Sequence, residues 1–274
     1  MHNRFYIDEK IEGYPGKEIV LESISAHIKA FRKKMGDEIK LYDGLGTVYS
    51  GKILKIAKKN INIELISSKK YSENNIKIYL FLPLITSHIM DQLIARVCEL
   101  GVSNIFPVIT ERSIKLKNEK EINSKLSKWD KISRGAMIIA GKNFSTVINK
   151  PVALAAAFKS AENFNAKLIA SPDAELFLKN YLESLDFKKN DISVGMFIGP
   201  EGDFSPSELR LSKEYGFTSV KLSNYIMSTF VASLYSVSLF LKCLLSTIIS
   251  EISLYLKLPP ESFSNAPLHR ATDD

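Results

Sequence analysis

Hydrophobic positions change rhythm near residue 70. Before it, apolar and polar residues alternate in short runs: NRFYI, KEIVL, EIKLYD, TVYSGKILKI and NINIELI. A period of two is the mark of strands with one buried face. Turn residues separate the runs, namely Tyr14-Pro15-Gly16, Gly36-Asp37 and Asp43-Gly44-Leu45-Gly46, at spacings that suit a small β-barrel or sandwich. Ile39, Leu41, Val48, Ile53, Ile56, Ile61, Ile63 and Leu65 are its expected core. The polar stretch SSKKYSENN (67–75) reads as a linker, so a first domain is expected over residues 1–70 and a second from residue 76.

The second domain follows other rules. KIYLFLPLI is continuously apolar, as in a strand covered on both faces. Ile85, Ile89, Leu93 and Val97, with Met90, Ile94 and Leu100, then recur at helical spacing until Gly101. NIFPVIT, KLIAS, DISVGMFIG and SVKLS read as further strands, and Ile122, Leu126, Trp129, Ile132 and Ala136 mark another helical face. This alternation predicts an α/β domain with a largely parallel sheet over residues 76–256. The last helix, Phe230 to Leu256, is apolar nearly all round but carries Lys242, Glu251 and many serines. That pattern favours burial in a core or against a partner subunit, with no membrane span. The tail 257–274 is polar and aperiodic and is expected to be disordered.

Composition narrows function more than fold. At 274 residues, 45% hydrophobic and 24% charged, the chain can bury a core without covalent staples. Cys98 and Cys243 form no CxxC pair and the four histidines no HxxxH pair, so neither a disulfide framework nor a metal site is expected. The segment MHNRFYIDEKIEGYPG has no apolar stretch, so no secretory signal is expected and the location reads as cytoplasmic. Net charge is +7, and the first 79 residues hold 15 Lys/Arg against 10 Asp/Glu. Such a bias points to a polyanion, most commonly a nucleic acid, or to nothing more than a lysine-rich solvated surface.

The segment richest in chemistry is FIGPEGDFSPSEL, residues 197–209. A hydrophobic strand runs into Gly199-Pro200-Glu201-Gly202 and Asp203, and a helix opens near Ser205-Pro206-Ser207-Glu208 with an N-cap, a first-turn proline and an acidic residue. Glycines at the carboxyl end of a strand let backbone approach a ligand, at the end where α/β sheets bind them. It matches neither GxGxxG nor a P-loop, and by itself it reads equally as an ordinary tight turn.

Other segments join it in a family's order and spacing: Arg4-Phe5-Tyr6; His27, Arg32 and Gly36-Asp37, then Asp43-Gly44 and Gly46; Glu99-Leu100-Gly101-Val102; Thr110-Glu111-Arg112-Ser113; Trp129; and Gly199-Pro200-Glu201-Gly202 with Phe204-Ser205. With these the chain resembles, over residues 4 to 240, the RsmE family. These are bacterial methyltransferases that modify N3 of a uridine in 16S ribosomal RNA and belong to the SPOUT superfamily. The resemblance implies a small PUA-like β-barrel followed by a SPOUT-type, trefoil-knotted α/β domain acting as a homodimer. It implies S-adenosylmethionine in the knot, held by Ala170 to Asp173, the Gly199–Gly202 loop and Leu222 to Met227. The cofactor residues expected on that basis are Ala170, Gly199, Pro200, Glu201, Gly202, Leu222, Ser223, Ile226 and Met227. Glu201 is the expected base or substrate-orienting group and Arg112 a charge-neutralising partner, with a loop brace and a surface ion pair as the alternatives. RNA within the small ribosomal subunit is the expected partner, met by Arg4, His27, Arg32, Lys33, Arg134 and Lys142.

The chain also departs from that family. The third cofactor loop, close to LGxRILRxETA there, has Ser223, Tyr225, Ser228, Phe230 and Val231 in place of the glycine, two arginines, the acidic residue and the threonine. The helix usually reading EAxEQxxR is Gly135 to Lys142, and a lysine ahead of the ELG helix is Thr86. Backbone contacts to a cofactor survive such changes, whereas an arginine fork does not. The alternative function is therefore an RNA-binding ribosome-assembly factor of the same fold with weak or no catalysis.

Overall fold

The period-two runs of the first 70 residues become one five-stranded sheet. In a computed structural model that describes residues 3–9, 11, 15–185 and 191–256, the strands are β1 (Arg4–Tyr6), β2 (Glu18–Leu21), β3 (Glu38–Tyr42), β4 (Thr47–Ile56) and β5 (Ile61–Lys70). Their order is β1-β3-β4-β5-β2, with β1 parallel to β3 and every other pair antiparallel. Inward residues alternate as the pattern requires: Phe5, Leu21, Ile39, Leu41, Ile53, Ile61 and Ile63 share one core. A short helix, α1 (Ser25–Ala30), adds Ile28, and the preceding Ile24 joins it. Register shifts at Ser50/Gly51 and Ile53/Lys55 re-aim β4 against β5 and increase the local twist of the half-barrel.

The expected linker is shorter than its polarity suggests. Ser67 to Lys70 belong to β5 and pair with Ser50 to Thr47 of β4. The hairpin simply runs on into solvent, where residues 66–70 are exposed and polar side chains are favoured. Nor does the barrel hang free. Its β3–β4 turn docks on the α/β domain, the Ser145 amide donating to Gly44 O at 2.9 Å and the Gly46 amide to Asn143 O at 3.1 Å. Gly46 sits at φ +94°, and a side chain there would overlap the Phe144 ring.

The α/β domain runs β6 (Ile76–Pro83), α2 (Ser87–Glu99), β7 (Asn104–Ile109), α3 (Glu119–Ala140), β8 (Val147–Ile148), β9 (Val152–Ala153), α4 (Leu154–Ser160), β10 (Ala166–Ala170), α5 (Leu178–Glu183), β11 (Ile192–Phe197), α6 (Pro206–Glu214), β12 (Thr218–Val220) and α7 (Thr229–Leu256). All seven strands are parallel, in the order β12-β10-β11-β6-β7-β8, with β9 also along β7. One face carries Leu80, Leu82, Leu168, Val194 and Met196, packed with side chains of α2 and α7. The other carries Phe81, Ile169 and Phe197, with Phe158 of α4 and Phe217 closing over them; the Phe81 and Phe197 rings stack at 3.9 Å. Burial on both faces is why KIYLFLP lacks alternation. Among the expected elements, the two-residue strands β8 and β9 and helix α1 are additions.

Strand order sets up the site. The chain crosses from β9 to β10, inserts β11 between β10 and β6, then places β12 outside β10. Three carboxyl ends thereby become neighbours. From β12 the chain turns into α7, which packs on α2 and α5. Thr229–Ser246 of α7 is long and apolar enough to cross a membrane by length and composition, and 33% of that window is buried within the protein. The segment expected to be disordered, 257–274, lies outside the described residues.

Candidate active site

A cleft opens where β10, β11 and β12 end. Its walls are Ala170 at the end of β10 with Ser171 and Pro172 after it; Ile198 to Glu201 and Asp203 after β11; Leu222, Ser223 and Tyr225 to Met227 after β12; and Thr229 and Ala232 of α7. The loops are fastened to one another. The Ser171 amide donates to Val220 O at 3.0 Å, and Thr229 Oγ1 donates to Gly199 O at 2.8 Å from a side chain only 2% exposed. Gly199 is required by crowding: a Cβ there would lie 2.7 Å from Asp203 Oδ1 and 3.3 Å from Phe204 Cδ2.

The loop after β11 is held from its far end by α6. Ser205 is the N-cap and Glu208 completes a capping box, with Pro206 in the first turn. Glu208 is nearly buried, and its second carboxylate oxygen accepts the Glu111 amide at 2.8 Å. One side chain thus joins α6 to the Thr110–Ser113 turn. Arg112 of that turn donates to Gly202 O.

Two carboxylates reach the cleft. Glu201 is exposed. Asp203 is half-buried, and burial, with the charges of Asp173 and Glu208, raises its carboxyl above the usual range against the Phe204 amide and Arg112, which act to lower it. Asp203 has φ +59°, a left-handed backbone that aspartate tolerates better than most residues.

The sequence-based site residues divide into those brought together and those sent elsewhere. Every expected cofactor residue except Gly202 lines the cleft. Gly202 instead faces Arg112, whose Cδ would lie 3.3 Å from an added Cβ. Glu201 and Arg112 both meet the same loop. Of the expected RNA ligands, His27 and Arg32 are exposed on α1 and the turn after it, and Lys33 bonds Asn3. Arg4, Arg134 and Lys142 have structural partners. Arg4 lies over the Tyr42 ring and donates to Lys142 O at 3.2 Å. Arg134 pairs with Asp8 and, at 2.7 Å, with Asp130 while covering Tyr6. Arg134 staples the half-barrel to α3, and Arg4 staples it to the turn that follows α3. The Lys142 ammonium donates to Cys98 O at 3.0 Å, a cationic cap on the end of α2; burial lowers its pKa.

Residues 72–241 match the RNA methyltransferase domain family, and residues 22–66 match the RNA methyltransferase PUA domain. The chain belongs to the RNA methyltransferase family. The ribosomal RNA small subunit methyltransferase E of Mesomycoplasma hyopneumoniae (strain 232) is 27% identical over 242 residues, covering 88% of this chain and 98% of that protein. Its counterpart from Aquifex aeolicus (strain VF5) is 29% identical over 201 residues, covering 71% and 81%. Among solved structures, a Legionella pneumophila methyltransferase in complex with its cofactor SAM has a TM-score of 0.79 at 26% identity, covering 88% of this chain and 97% of that one. A ribosomal RNA small subunit methyltransferase E from Neisseria gonorrhoeae bound to S-adenosyl methionine gives 0.75 at 25%, covering 86% and 95%.

Within an RNA methyltransferase, the additions made by the three-dimensional structure are specific. Asp203, Thr229 and Ala232 join the cleft although the motif reading assigned them no role. Asp203 had a signal in the sequence, a carboxylate between Gly202 and a buried Phe204 in a turn too tight to let it point freely outward. Ala232 had one as the alanine that ends the resembled family's third-loop pattern, whereas Thr229, at an unspecified position of that pattern, had none and reaches the cleft through the packing of α7. Ser228, standing where the resembled family has arginine, accepts the Val231 amide at 3.3 Å and so caps α7.

Proposed function

We propose that this RNA methyltransferase transfers a methyl group from S-adenosylmethionine to N3 of a uridine in small-subunit ribosomal RNA. The observation that carries the reading is the cleft built by the three strand-end loops, in a chain that shares its fold with cofactor-bound relatives over 88% and 86% of its length. The residues present suit the cofactor. Leu222, Ile226 and Met227 offer apolar surface to a flat ring, the strand ends offer backbone groups, and Gly199 leaves out a Cβ that would press on Asp203 and Phe204 and force the loop open. When bound, the cofactor supplies an electrophilic methyl group on a positively charged sulfur.

The chain's own residues then have three tasks. The fastened loops hold the reacting groups in line, which replaces an unfavourable encounter with a preset geometry. Asp203, with its raised carboxyl pKa, is the better-placed group to take the weakly acidic N3 proton, and Glu201 at the exposed rim orients the base. Arg112, beside Gly202, places positive charge where negative charge develops on the uracil. His27 and Arg32 supply phosphate contacts from the half-barrel.

We further propose two docked domains, 1–70 and 76–256, joined in a cytoplasmic homodimer. Tyr225 and Ile226 at the cleft and Val231 on α7 are exposed apolar surface, and that exposure supports a second copy covering them. The knotted crossing implied by the resemblance belongs to the same proposal; Thr229 brings the start of α7 against the Gly199 loop. The test is methyl transfer to small subunits that lack the mark, followed by mass mapping of the RNA. One N3-methyluridine is expected. No transfer above background, or methylation of ribose, refutes the reading.

A further inference from the structure

Between the N-terminal turns of α2 and α3 lies an open groove of about 510 Å³, lined by Lys117, Lys120, Lys125 and Lys128. It shares no residue with the cleft or the half-barrel. Because α2 follows β6 and α3 follows β7, the groove sits at the same carboxyl end of the sheet as the cleft. A short stretch of chain connects the two: Arg112 bonds the Gly202 carbonyl, and five residues later Lys117 enters the groove. The Ile114 amide, donating to Leu84 O at 2.9 Å, ties this stretch to the end of β6.

Two neighbouring carboxylates, Asp91 and Glu119, each already hold a lysine, while Glu121 lines the groove itself. Asp91 accepts from Lys128 and, at 3.1 Å, from the Trp129 indole. Glu121 accepts the Lys117 backbone amide at 2.9 Å, and Glu119 pairs with Lys150 at 3.2 Å. Lys125 donates to Ser87 Oγ at 3.3 Å and, among the described residues, pairs with no carboxylate. Among the described residues, the exposed ammonium groups of Lys117 and Lys120 meet no carboxylate. Helix formation does not call for them. Lys120 in the first turn of α3 opposes the macrodipole, which favours the Glu119 and Glu121 beside it. Lys117, Lys120 and Lys125, gathered on the lead-in and first turns of α3 with Glu121 as the one carboxylate lining the groove among the described residues, leave it net positive and suited to an anion. Lys120 to Lys128 extends about 12 Å along α3, room for successive charges and not only one.

We infer that this groove holds phosphates of the RNA strand flanking the target uridine, an inference that rests on the proposed reaction of the cleft. Lysine ammonium groups without aromatic neighbours hold backbone and do not read bases. The groove therefore positions the strand while the cleft selects the nucleotide.

The test is the full-length double variant Lys120→Gln/Lys125→Gln, titrated with a protein-free 16S RNA transcript and with intact small subunits across a salt series. The log–log salt slope should fall by about 1.4 to 1.8, for two lost phosphate contacts. KM for RNA should rise with kcat at saturation retained, S-adenosylmethionine affinity should be unchanged, and Lys120→Arg/Lys125→Arg should restore the slope. An unchanged slope on the transcript overturns the inference. So does a loss confined to intact subunits, which would make the groove a dock for a ribosomal protein. Wild-type protein that shows the groove-dependent slope yet transfers no methyl group would overturn the reaction and leave the groove standing.

Discussion

Replacing Gly199 with alanine asks whether the cleft works by close backbone approach. The new Cβ would lie 2.7 Å from Asp203 Oδ1, 3.3 Å from Phe204 Cδ2 and 3.4 Å from Asp203 Cα. None of these atoms is free to retreat. Asp203 Oδ1 accepts the Phe204 amide at 2.8 Å, and the Asp203 amide donates to Pro200 O at 2.8 Å. Phe204 is 4% exposed in the aromatic core. The loop must therefore widen, and overpacking of this kind costs about 1–3 kcal/mol. Carried into the bound geometry, that cost weakens S-adenosylmethionine binding about 5- to 150-fold, at about 1.4 kcal/mol per decade. Gly202→Ala is the matched comparison. Its Cβ would meet only the flexible Arg112 side chain, so affinity should stay within about two-fold, as for an ordinary surface change. Isothermal titration calorimetry reads both variants, with thermal unfolding as the check on folding. Equal affinity for Gly199→Ala and the native protein, or an equal loss for Gly202→Ala, refutes the reasoning.

Asp203→Asn should remove the acid limb of the methyl-transfer pH profile, which is set above the usual carboxylate range by burial. Because the folded state binds this proton more tightly than the unfolded chain, native stability falls as pH rises from the ordinary carboxylate pKa through the raised one. The variant escapes that fall, so chemical denaturation should find it at least as stable as the native protein at pH 7; a less stable variant with an unchanged profile contradicts the assignment. Ser228→Arg, which brings back the residue of the resembled family, should lower stability by about 1–2 kcal/mol by removing the α7 cap and setting a cation at a helix N-terminus. An unchanged melting temperature would show that the serine does not cap.

Much of the architecture was legible because it is local. The alternation in TVYSGKILKI and NINIELI marks a half-buried hairpin wherever it occurs, and the unbroken KIYLFLP marks a strand covered twice. Ser205-Pro206-Ser207-Glu208 announces a helix start through backbone chemistry confined to four residues. The Gly199 loop and the segments ending β10 and β12 were found through their resemblance to a family pattern, and they do meet in one cleft.

What only the tertiary structure decided concerns partners distant along the chain. The sequence contains dozens of basic residues with the same local appearance. Long-range contacts turn Arg4 and Arg134 into staples between domains and Lys142 into a helix cap, 44 residues from the carbonyl it meets. Among the described residues the same contacts leave the ammonium groups of Lys117 and Lys120 without a carboxylate, in a groove that no periodicity marks. Asp203 became a candidate base only through its burial, which is set by Phe204 seating in the core and by Glu208 reaching across to Glu111. Period and turn chemistry are fixed by neighbours in sequence, whereas desolvation and charge pairing depend on which elements pack together, and β11 lying between β10 and β6 is set by that packing.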